Sequence, residues 1–192
     1  YAVNAVKTGE PLLRPLFYND IKNEKLYDIN TEFYLGDDIL FAPVTGKDEL
    51  KKEVYLPCGT WIDFWTKRVY EGDRNIMRST PLLQKEGLPM FIRQGGGLAF
   101  QKDCTHLTDE IPDFLEIELY PDNFAKITLN ESENVTNEFS CEIKNGKIEI
   151  TAQNNSDKQR VYKFSIFVNS KVYETEIAVD KNSAKKYELE IC

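Results

Sequence analysis

The sequence predicts a mainly β protein with two antiparallel β-sandwich domains, at residues 37–103 and 104–192. In the first domain, short apolar runs alternate with glycine, proline and charged residues, which is the pattern of strands and turns. In the second domain, apolar and polar residues alternate within each strand, so each strand keeps one face in water, as in antiparallel sheets. The polar stretch Lys102–Pro112 shows neither pattern and is the predicted join.

A short helix and one extended strand are predicted ahead of these domains. Residues 1–7 resemble the end of a helix, and Thr8–Pro11 ends it, because glycine followed by proline is typical just beyond a helix. Leu12–Tyr18 is then an apolar extended run. A proline interrupts this run, since proline cannot donate a hydrogen bond to a neighbouring strand.

The other predicted strands fall into two groups. Those of the first domain are Ile39–Val44, Glu53–Leu56, Trp61–Trp65 and Leu88–Arg93. Those of the second domain are Phe114–Tyr120, Phe124–Leu129, Glu138–Ile143, Lys147–Ala152, Val161–Val168, Lys171–Ala178 and Lys186–Ile191. Pro57–Gly59 and Tyr70–Asp73 are predicted turns, because glycine adopts positive φ without strain. Asn145–Gly146 is a strong two-residue hairpin signal, and Asn169–Ser170 is predicted to turn another hairpin.

Length, charge and hydropathy exclude several classes of protein. The 192 residues suffice for one or two domains with a core in each. The net charge of −8 argues against a nucleic-acid partner, because phosphate binding needs clustered lysine and arginine. No apolar run approaches the roughly 20 residues of a membrane span, and no signal peptide is visible. Because the first residue is Tyr1 rather than Met, we expect an excised piece or a processed product.

The four cysteines do not indicate a metal site. Cys58, Cys104, Cys141 and Cys192 are irregularly spaced, whereas a structural zinc site normally shows closely paired ligands. The single histidine, His106, lies two residues from Cys104, but catalytic Cys–His pairs generally meet from distant positions in the sequence. We therefore predict no metal, ordinary reduced thiols and a cytoplasmic parent protein.

Other motifs resemble ligand-binding loops only superficially. Gly95–Gly97 lacks the following Lys and Ser/Thr of a phosphate-binding loop, and Leu98–Phe100 after it is predicted as a strand. Asp37–Asp38 and Glu131–Glu133 lack the ligand number of a calcium loop, so we predict solvated acidic turns there. The sequence implies no cofactor.

An aromatic cluster is the candidate for a sugar contact. Trp61, Phe64, Trp65 and Tyr70 surround a predicted turn, and exposed aromatic faces can stack on sugar rings. On one strand, Trp61, Asp63 and Trp65 would share a face. The same side chains can instead form the core of the sandwich or its seam against a neighbouring barrel domain, which is the favoured interpretation. A sugar contact by Trp61, Trp65 and Tyr70 is the second interpretation.

Four ordered motifs resemble the end of the catalytic barrel and the first C-terminal β-sandwich of glycoside hydrolase family 31. They are the segments Gly9–Phe17, Glu32–Val44, Val54–Trp65 and Leu88–Gly97. The resemblance implies that residues 1–36 are a remnant of the last unit of a (β/α)₈ barrel, without the sister strands of that barrel. We therefore expect the residues before about Phe33 to be poorly ordered or repacked, for instance across a dimer. The second domain resembles the family only in its β character.

The resemblance also implies that this chain has no catalytic residue. Family 31 uses two aspartates on barrel strands, one of them in a Trp-x-Asp-Met-Asn-Glu type sequence, upstream of the region matched here. Trp61–Asp63 has the start of this pattern, but Phe64–Thr66 follows it, so we expect Asp63 to be a turn or strand-edge carboxylate in solvent. Arg14 is expected to make a structural ion pair at the barrel end in an intact parent, and it can be left unpaired in this chain.

The resemblance predicts the non-catalytic, C-terminal portion of a retaining α-glycosidase that hydrolyses terminal α-glucosides or α-xylosides. Its partner would be its own catalytic barrel, which it buttresses, with carbohydrate and a second copy of the chain left open as further partners. One alternative is a stand-alone carbohydrate-binding or adhesion module, and another is a purely structural sandwich. The residues that separate glucose from xylose specificity would lie in barrel loops, outside this chain.

Overall fold

A computed structural model describes residues 1–46, 49–81, 87–101, 111–132 and 134–191. The chain forms two compact units, Tyr1–Gln94 and Gly95–Cys192. Most of the predicted join, together with Cys104, His106 and Cys192, lies outside the described residues. Within the described residues, no helix is long and apolar enough to cross a membrane.

The first unit begins with a short helix and continues mainly as strands. The helical segments are α1 (Ala2–Thr8) and two 3₁₀ turns, Leu16–Tyr18 and Glu24–Leu26. The strands are β1 (Leu13–Pro15), β2 (Phe33–Leu35), β3 (Ile39–Phe41), β4 (Lys51–Leu56), β5 (Thr60–Asp63), β6 (Val69–Glu71), β7 (Arg74–Ser79) and β8 (Met90–Arg93). The helix ends as predicted, because Gly9 takes the left-handed conformation at φ 77°.

A six-stranded antiparallel sheet and a separate strand pair enclose the core of the first unit. The sheet has the order β1-β2-β3-β8-β5-β6, and β4 pairs with β7. Both contribute to one buried cluster, with Leu40, Trp61 and Phe91 from the sheet and Val54 and Leu56 from β4. The 3₁₀ turns add two further buried leucines to this cluster.

The N-terminal strand is repacked within this chain, which is one of the two outcomes expected for the residues before about Phe33. β1 pairs with β2 in antiparallel register, with Arg14 opposite Tyr34. Leu16 and Leu26, in the two 3₁₀ turns, are fully buried in the unit's own core. Strands of a (β/α)₈ barrel pair in parallel. In this chain β1 instead forms the edge of an antiparallel sheet.

The strand predicted at Trp61–Trp65 is shorter than expected. β5 ends at Asp63, where the chain turns back: the Asp63 amide donates to the Arg68 carbonyl, and the Lys67 amide donates to the Asp63 carbonyl. The turn brings β6 beside β5, and Gly72 follows. A Cβ at Gly72 would overlap the backbone of the Pro57–Gly59 turn, so only glycine fits this close approach.

All the regular secondary structure in the described residues of the second unit is β-strand. They are β9 (Gly97–Gln101), β10 (Phe114–Leu119), β11 (Phe124–Asn130), β12 (Thr136–Lys144), β13 (Lys147–Asn154), β14 (Arg160–Val168), β15 (Lys171–Val179) and β16 (Ser183–Glu190). The seven strands predicted after residue 113 are all present, with ends shifted by a few residues at most. Leu98–Phe100 lies in β9, as predicted.

Two four-stranded sheets in the second unit share one core. Their orders are β15-β14-β10-β9 and β11-β12-β13-β16. Alternate residues of β13 and β14 are buried, which is the predicted pattern of one buried and one exposed face. Phe139 from one sheet packs against Tyr162 and Phe164 from the other, with ring centroids 4.6 and 6.0 Å apart.

One strand pair of the second unit departs from the predicted antiparallel arrangement. β10 and β14 pair in parallel, with Leu115 opposite Tyr162. Parallel neighbours need a long connection, and here the chain passes through β11, β12 and β13 of the other sheet before it returns. Sequence alternation cannot distinguish this order, because it fixes the buried face of a strand and not the direction of its neighbour.

Both predicted hairpins are confirmed. Asn145 and Gly146 have φ of 51° and 74°, and Asn169 and Ser170 have φ of 50° and 65°. Positive φ at both central residues is the geometry of type I′ turns, which match the twist of the flanking strands. These turns set the registers of β12 with β13 and of β14 with β15.

Candidate functional site

Trp61 lies in the core of the first unit and offers no exposed face to a sugar. Its side chain is fully buried, and its indole nitrogen donates to the Pro57 carbonyl at 2.7 Å. The ring stacks on Tyr34, and the Arg93 guanidinium lies 4.6 Å from its centroid. All the polar and aromatic surface of this side chain is therefore used inside the unit.

Trp65 and Tyr70 are half-buried, and each has a contact of its own. The Trp65 indole nitrogen donates to the Leu88 carbonyl at 2.7 Å, and its ring meets Phe64 edge-on. Tyr70 meets Phe91 edge-on, with the Arg68 guanidinium 5.2 Å from the tyrosine ring centroid. A sugar contact at Trp65 and Tyr70 stays a prediction.

Asp63 is buried, so the expectation of a solvent-exposed carboxylate is wrong. Its side chain has no exposed surface, and Oδ2 accepts from the Arg78 guanidinium at 2.5 Å. Oδ1 accepts from the backbone amides of Trp65 and Thr66 at 3.0 and 2.8 Å. The carboxylate therefore holds the turn after β5 and neutralises an arginine on β7, and a glycosidic bond has no access to it.

Arg14 is paired within this chain, so the expectation of an unpaired guanidinium is wrong. It donates to Asp37 at 2.5 Å and to Glu10 at 3.1 Å, while its Nε donates to the Pro11 carbonyl at 2.8 Å. The guanidinium also lies 5.3 Å from the centre of the Tyr18 ring. The antiparallel pairing of β1 with β2 brings Asp37 close, because Asp37 lies two residues beyond the end of β2.

The two acidic motifs are only partly the solvated turns that the sequence predicts. Glu131 makes an ion pair with Arg160 at 2.7 Å, and their side chains are 10% and 5% exposed. Asn137 donates to the same carboxylate. Asp37 is exposed but paired with Arg14, and Glu133 lies outside the described residues. Among the described residues, no three Asp, Glu, His or Cys side chains converge to hold a metal ion.

A polar cleft of about 570 Å³ in the first unit is a candidate site. One wall is the segment after the second 3₁₀ turn, and the other is the β4–β7 strand pair. Both walls carry charged and amide groups, and Tyr55 on β4 adds an aromatic ring. The lining residues are Lys25, Asp28, Ile29, Asn30, Thr31, Glu32, Glu53, Tyr55, Asp73, Arg74 and Asn75.

Glu32 ties the two walls of this cleft together. Both of its carboxylate oxygens accept from the Tyr55 backbone amide, at 3.1 and 3.2 Å. Next to it, the Lys52 ammonium donates to the Thr31 hydroxyl at 3.2 Å. Burial raises the pKa of Glu32 to about 7 and Glu53 adds to the rise, against the lowering effects of the Tyr55 amide and Lys52. Glu32 therefore changes its charge near neutral pH.

We predict that Glu32 makes the first unit less stable as the pH rises from about 4.5 to about 7. Because its pKa is higher in the folded state, its contribution is fully present below the unfolded value of 4.5. It is lost as the pH passes the folded value, and the loss in the free energy of unfolding is about 3–4 kcal/mol at most. Denaturant unfolding on both sides of this window measures the effect.

The matched variant for this prediction is Glu32→Gln, which keeps an acceptor for the Tyr55 amide but does not titrate. Its free energy of unfolding is expected to show a smaller decline than the wild-type decline across the window. Glu71→Gln, which removes an exposed carboxylate on β6, is expected to keep that decline. Parallel pH profiles for wild type and Glu32→Gln would show that Glu32 is not responsible.

This cleft was not predicted from the sequence. In the sequence, Glu32 is the first residue of one of the ordered motifs and Tyr55 is part of a predicted strand. Neither position indicates a ligand site. Their hydrogen bond joins residues 23 positions apart and uses a backbone amide as the donor. No spacing of side chains along the sequence therefore indicates it. The one usable sign was the run of three polar residues at 30–32 just before an apolar strand, but such runs are common in loops.

Comparison with known proteins identifies the segment that carries this cleft. Residues 9–96 match the family model described as the glycosyl hydrolase family 31 C-terminal domain. The chain carries a family 31 C-terminal region. The match includes β1 and β2, in the segment that the sequence analysis assigned to a barrel remnant. The predicted domain boundaries stay a prediction.

Curated family 31 relatives are far longer than this chain. An α-glucosidase 2 from Bacillus thermoamyloliquefaciens is 29% identical in an alignment 192 residues long. This alignment covers 93% of this chain and 24% of the relative. An α-xylosidase from Saccharolobus solfataricus is 30% identical over 132 residues, which cover 68% of this chain and 18% of the relative. The chain thus spans about a quarter or less of the relatives it matches.

The fold is shared with solved family 31 structures. A family 31 dextranase from Flavobacterium johnsoniae, solved with glucose, aligns with a TM-score of 0.82 over 99% of this chain and 30% of its own. The identity is 18%, so this likeness concerns the fold. It extends the resemblance beyond residue 96 into the second unit, whose sequence resembled the family only in its β character.

Proposed function

We propose that this chain is the non-catalytic, C-terminal portion of a retaining α-glycosidase that acts on terminal α-glucosides or α-xylosides. The observation that carries the proposal is the match of residues 9–96 to the family 31 C-terminal domain. The lengths of the relatives support it, because they leave room for a catalytic barrel outside this region. Asp63, the one residue in a catalytic-like tripeptide, is used in a buried ion pair.

The chain's own role in this proposal is to buttress the catalytic barrel. Apolar side chains are exposed in the N-terminal part of the first unit, including Val6 at 86%, Leu13 at 57% and Ile21 at 67%. Their concentration in one short segment is typical of a surface that another domain covers. In the intact protein, burying each of these side chains would contribute about 1.5–3 kcal/mol.

The test compares the intact protein, expressed from the whole reading frame, with the 192-residue chain. Ile21→Ser is expected to lower the melting temperature of the intact protein and to leave that of the chain unchanged. Met77→Ser is the matched control, because Met77 is similarly exposed, at 61%, but lies on β7. The intact protein is expected to hydrolyse an α-glucoside or α-xyloside with retention, and the chain alone to show no turnover. Hydrolysis by the chain alone, or equal effects of the two substitutions in the intact protein, would contradict the proposal.

A cytoplasmic location belongs to the same proposal. Cys58 is exposed and Cys141 is buried, and neither forms a disulfide within the described residues. Burial raises the pKa of the Cys141 thiol to about 12, so this thiol is unreactive in the folded unit. An exposed free thiol such as Cys58 favours a reducing compartment.

A further inference from the structure

The polar cleft beside Glu32 has no role in the proposed buttressing function, and its lining narrows the class of ligand it can take. Carboxylates face it from Asp28, Glu32, Glu53 and Asp73, and cations from Lys25 and Arg74. Amides and a hydroxyl complete the lining, at Asn30, Asn75 and Thr31. Donors and acceptors are thus interspersed on both walls.

Charge and geometry exclude two common ligand classes. The carboxylates outnumber the cations, so a phosphate or another anion would meet net repulsion. A divalent cation would need several acidic ligands directed at one point, and the described residues contain no such convergence. A neutral ligand rich in hydroxyl groups is not repelled and does not need converging carboxylates. Each of its hydroxyls can donate to a carboxylate and accept from an ammonium or amide group.

Tyr55 supplies the apolar surface that such a ligand also needs. Its ring is half-buried, and its hydroxyl donates to Asp73 at 2.7 Å, which fixes the ring orientation. Asn75 lies directly opposite Tyr55 in the register of β4 with β7. A fixed aromatic ring beside an amide can pack on the C–H face of a sugar while the amide bonds its hydroxyls.

We propose that this cleft is a binding site for a neutral saccharide of one or two sugar units. Its volume lies within the usual range of small-molecule sites, about 300–1,000 Å³. The site differs from the sugar contact predicted at Trp61, Trp65 and Tyr70, since none of these side chains lines it. All of its lining residues lie in the first unit. The saccharide-binding proposal can therefore be tested independently of the barrel-buttressing proposal.

The test is an NMR titration of the isotope-labelled 192-residue chain with maltose, isomaltose and xylose at millimolar concentrations. The backbone amide signals of Thr31, Tyr55 and Asn75 are expected to shift. Asn75→Ala is expected to weaken binding roughly five- to tenfold, because it removes hydrogen bonds to the ligand. Met77→Ala, two residues along the same exposed face of β7, is expected to bind like wild type.

Three outcomes would overturn the proposal. The first is that no sugar shifts the cleft signals. The second is that Asn75→Ala binds as tightly as wild type. The third is that spermidine or inorganic phosphate shifts these signals more strongly than any sugar, which would identify the cleft as a charge-selective site. The hydrolysis assay of the intact protein is a separate measurement, so either proposal can fail without the other.

Discussion

Replacing Asp63 with alanine is expected to lower the free energy of unfolding of the first unit by about 3–5 kcal/mol. The substitution leaves the Arg78 guanidinium, only 9% exposed, without its counter-charge. It also removes the acceptor for the Trp65 and Thr66 amides that holds the turn after β5. Both tryptophans of the chain lie in this unit, so tryptophan fluorescence during denaturant unfolding reports on it.

Two companion variants separate the buried charge from a general loss of contacts. Asp63→Asn with Arg78→Met removes both charges and is expected to recover part of the lost stability, because no buried charge is left unpaired. Glu10→Ala removes a carboxylate that is 45% exposed and leaves Arg14 bound to Asp37, so its effect is expected to stay below about 1 kcal/mol. If Asp63→Ala is no more destabilising than Glu10→Ala, the buried pair does not stabilise the unit.

The second unit was the more predictable part of the fold, although its sequence resembles the family less. Its strands are long, and in β13 and β14 every second residue is buried, so the buried face can be read from local alternation. The hairpin turns are equally local, because Asn145–Gly146 specifies its own backbone geometry. The direction of β14 relative to β10 escaped prediction, since a long connection decides it.

The first unit was less predictable because its contacts join distant, irregular segments. β7 has the sequence Arg-Asn-Ile-Met-Arg-Ser, which lacks apolar alternation, so neither the strand nor its arginine was expected beside Asp63. Arg14 likewise finds its carboxylate 23 residues away through the pairing of two three-residue strands. The cleft depends on the same kind of contact, between Glu32 and the backbone of β4. Residue types indicated that these groups could be charged, but only tertiary packing determined their partners.

Replacing Trp61 with alanine is expected to lower the free energy of unfolding of the first unit by about 3–5 kcal/mol. The substitution opens a cavity in the core beside Tyr34 and removes the donor to the Pro57 carbonyl. It also removes the ring on which the Arg93 guanidinium lies. Trp65 remains as the fluorescent reporter of unfolding, because its indole is held separately by the Leu88 carbonyl.

The same substitution distinguishes the two interpretations of the aromatic cluster. A side chain that stacks on a sugar must face solvent, and truncating it would weaken sugar binding at little expense in stability. Truncating a core side chain instead lowers stability. Trp61→Ala is therefore expected to destabilise the unit strongly, and Trp65→Ala is expected to destabilise it less because Trp65 is half-buried. Trp61→Phe is expected to lose less stability than Trp61→Ala, because phenylalanine refills much of the cavity. It still loses some, because phenylalanine cannot donate a hydrogen bond to the Pro57 carbonyl. A Trp61→Ala protein as stable as wild type would mean that this indole is not part of the core.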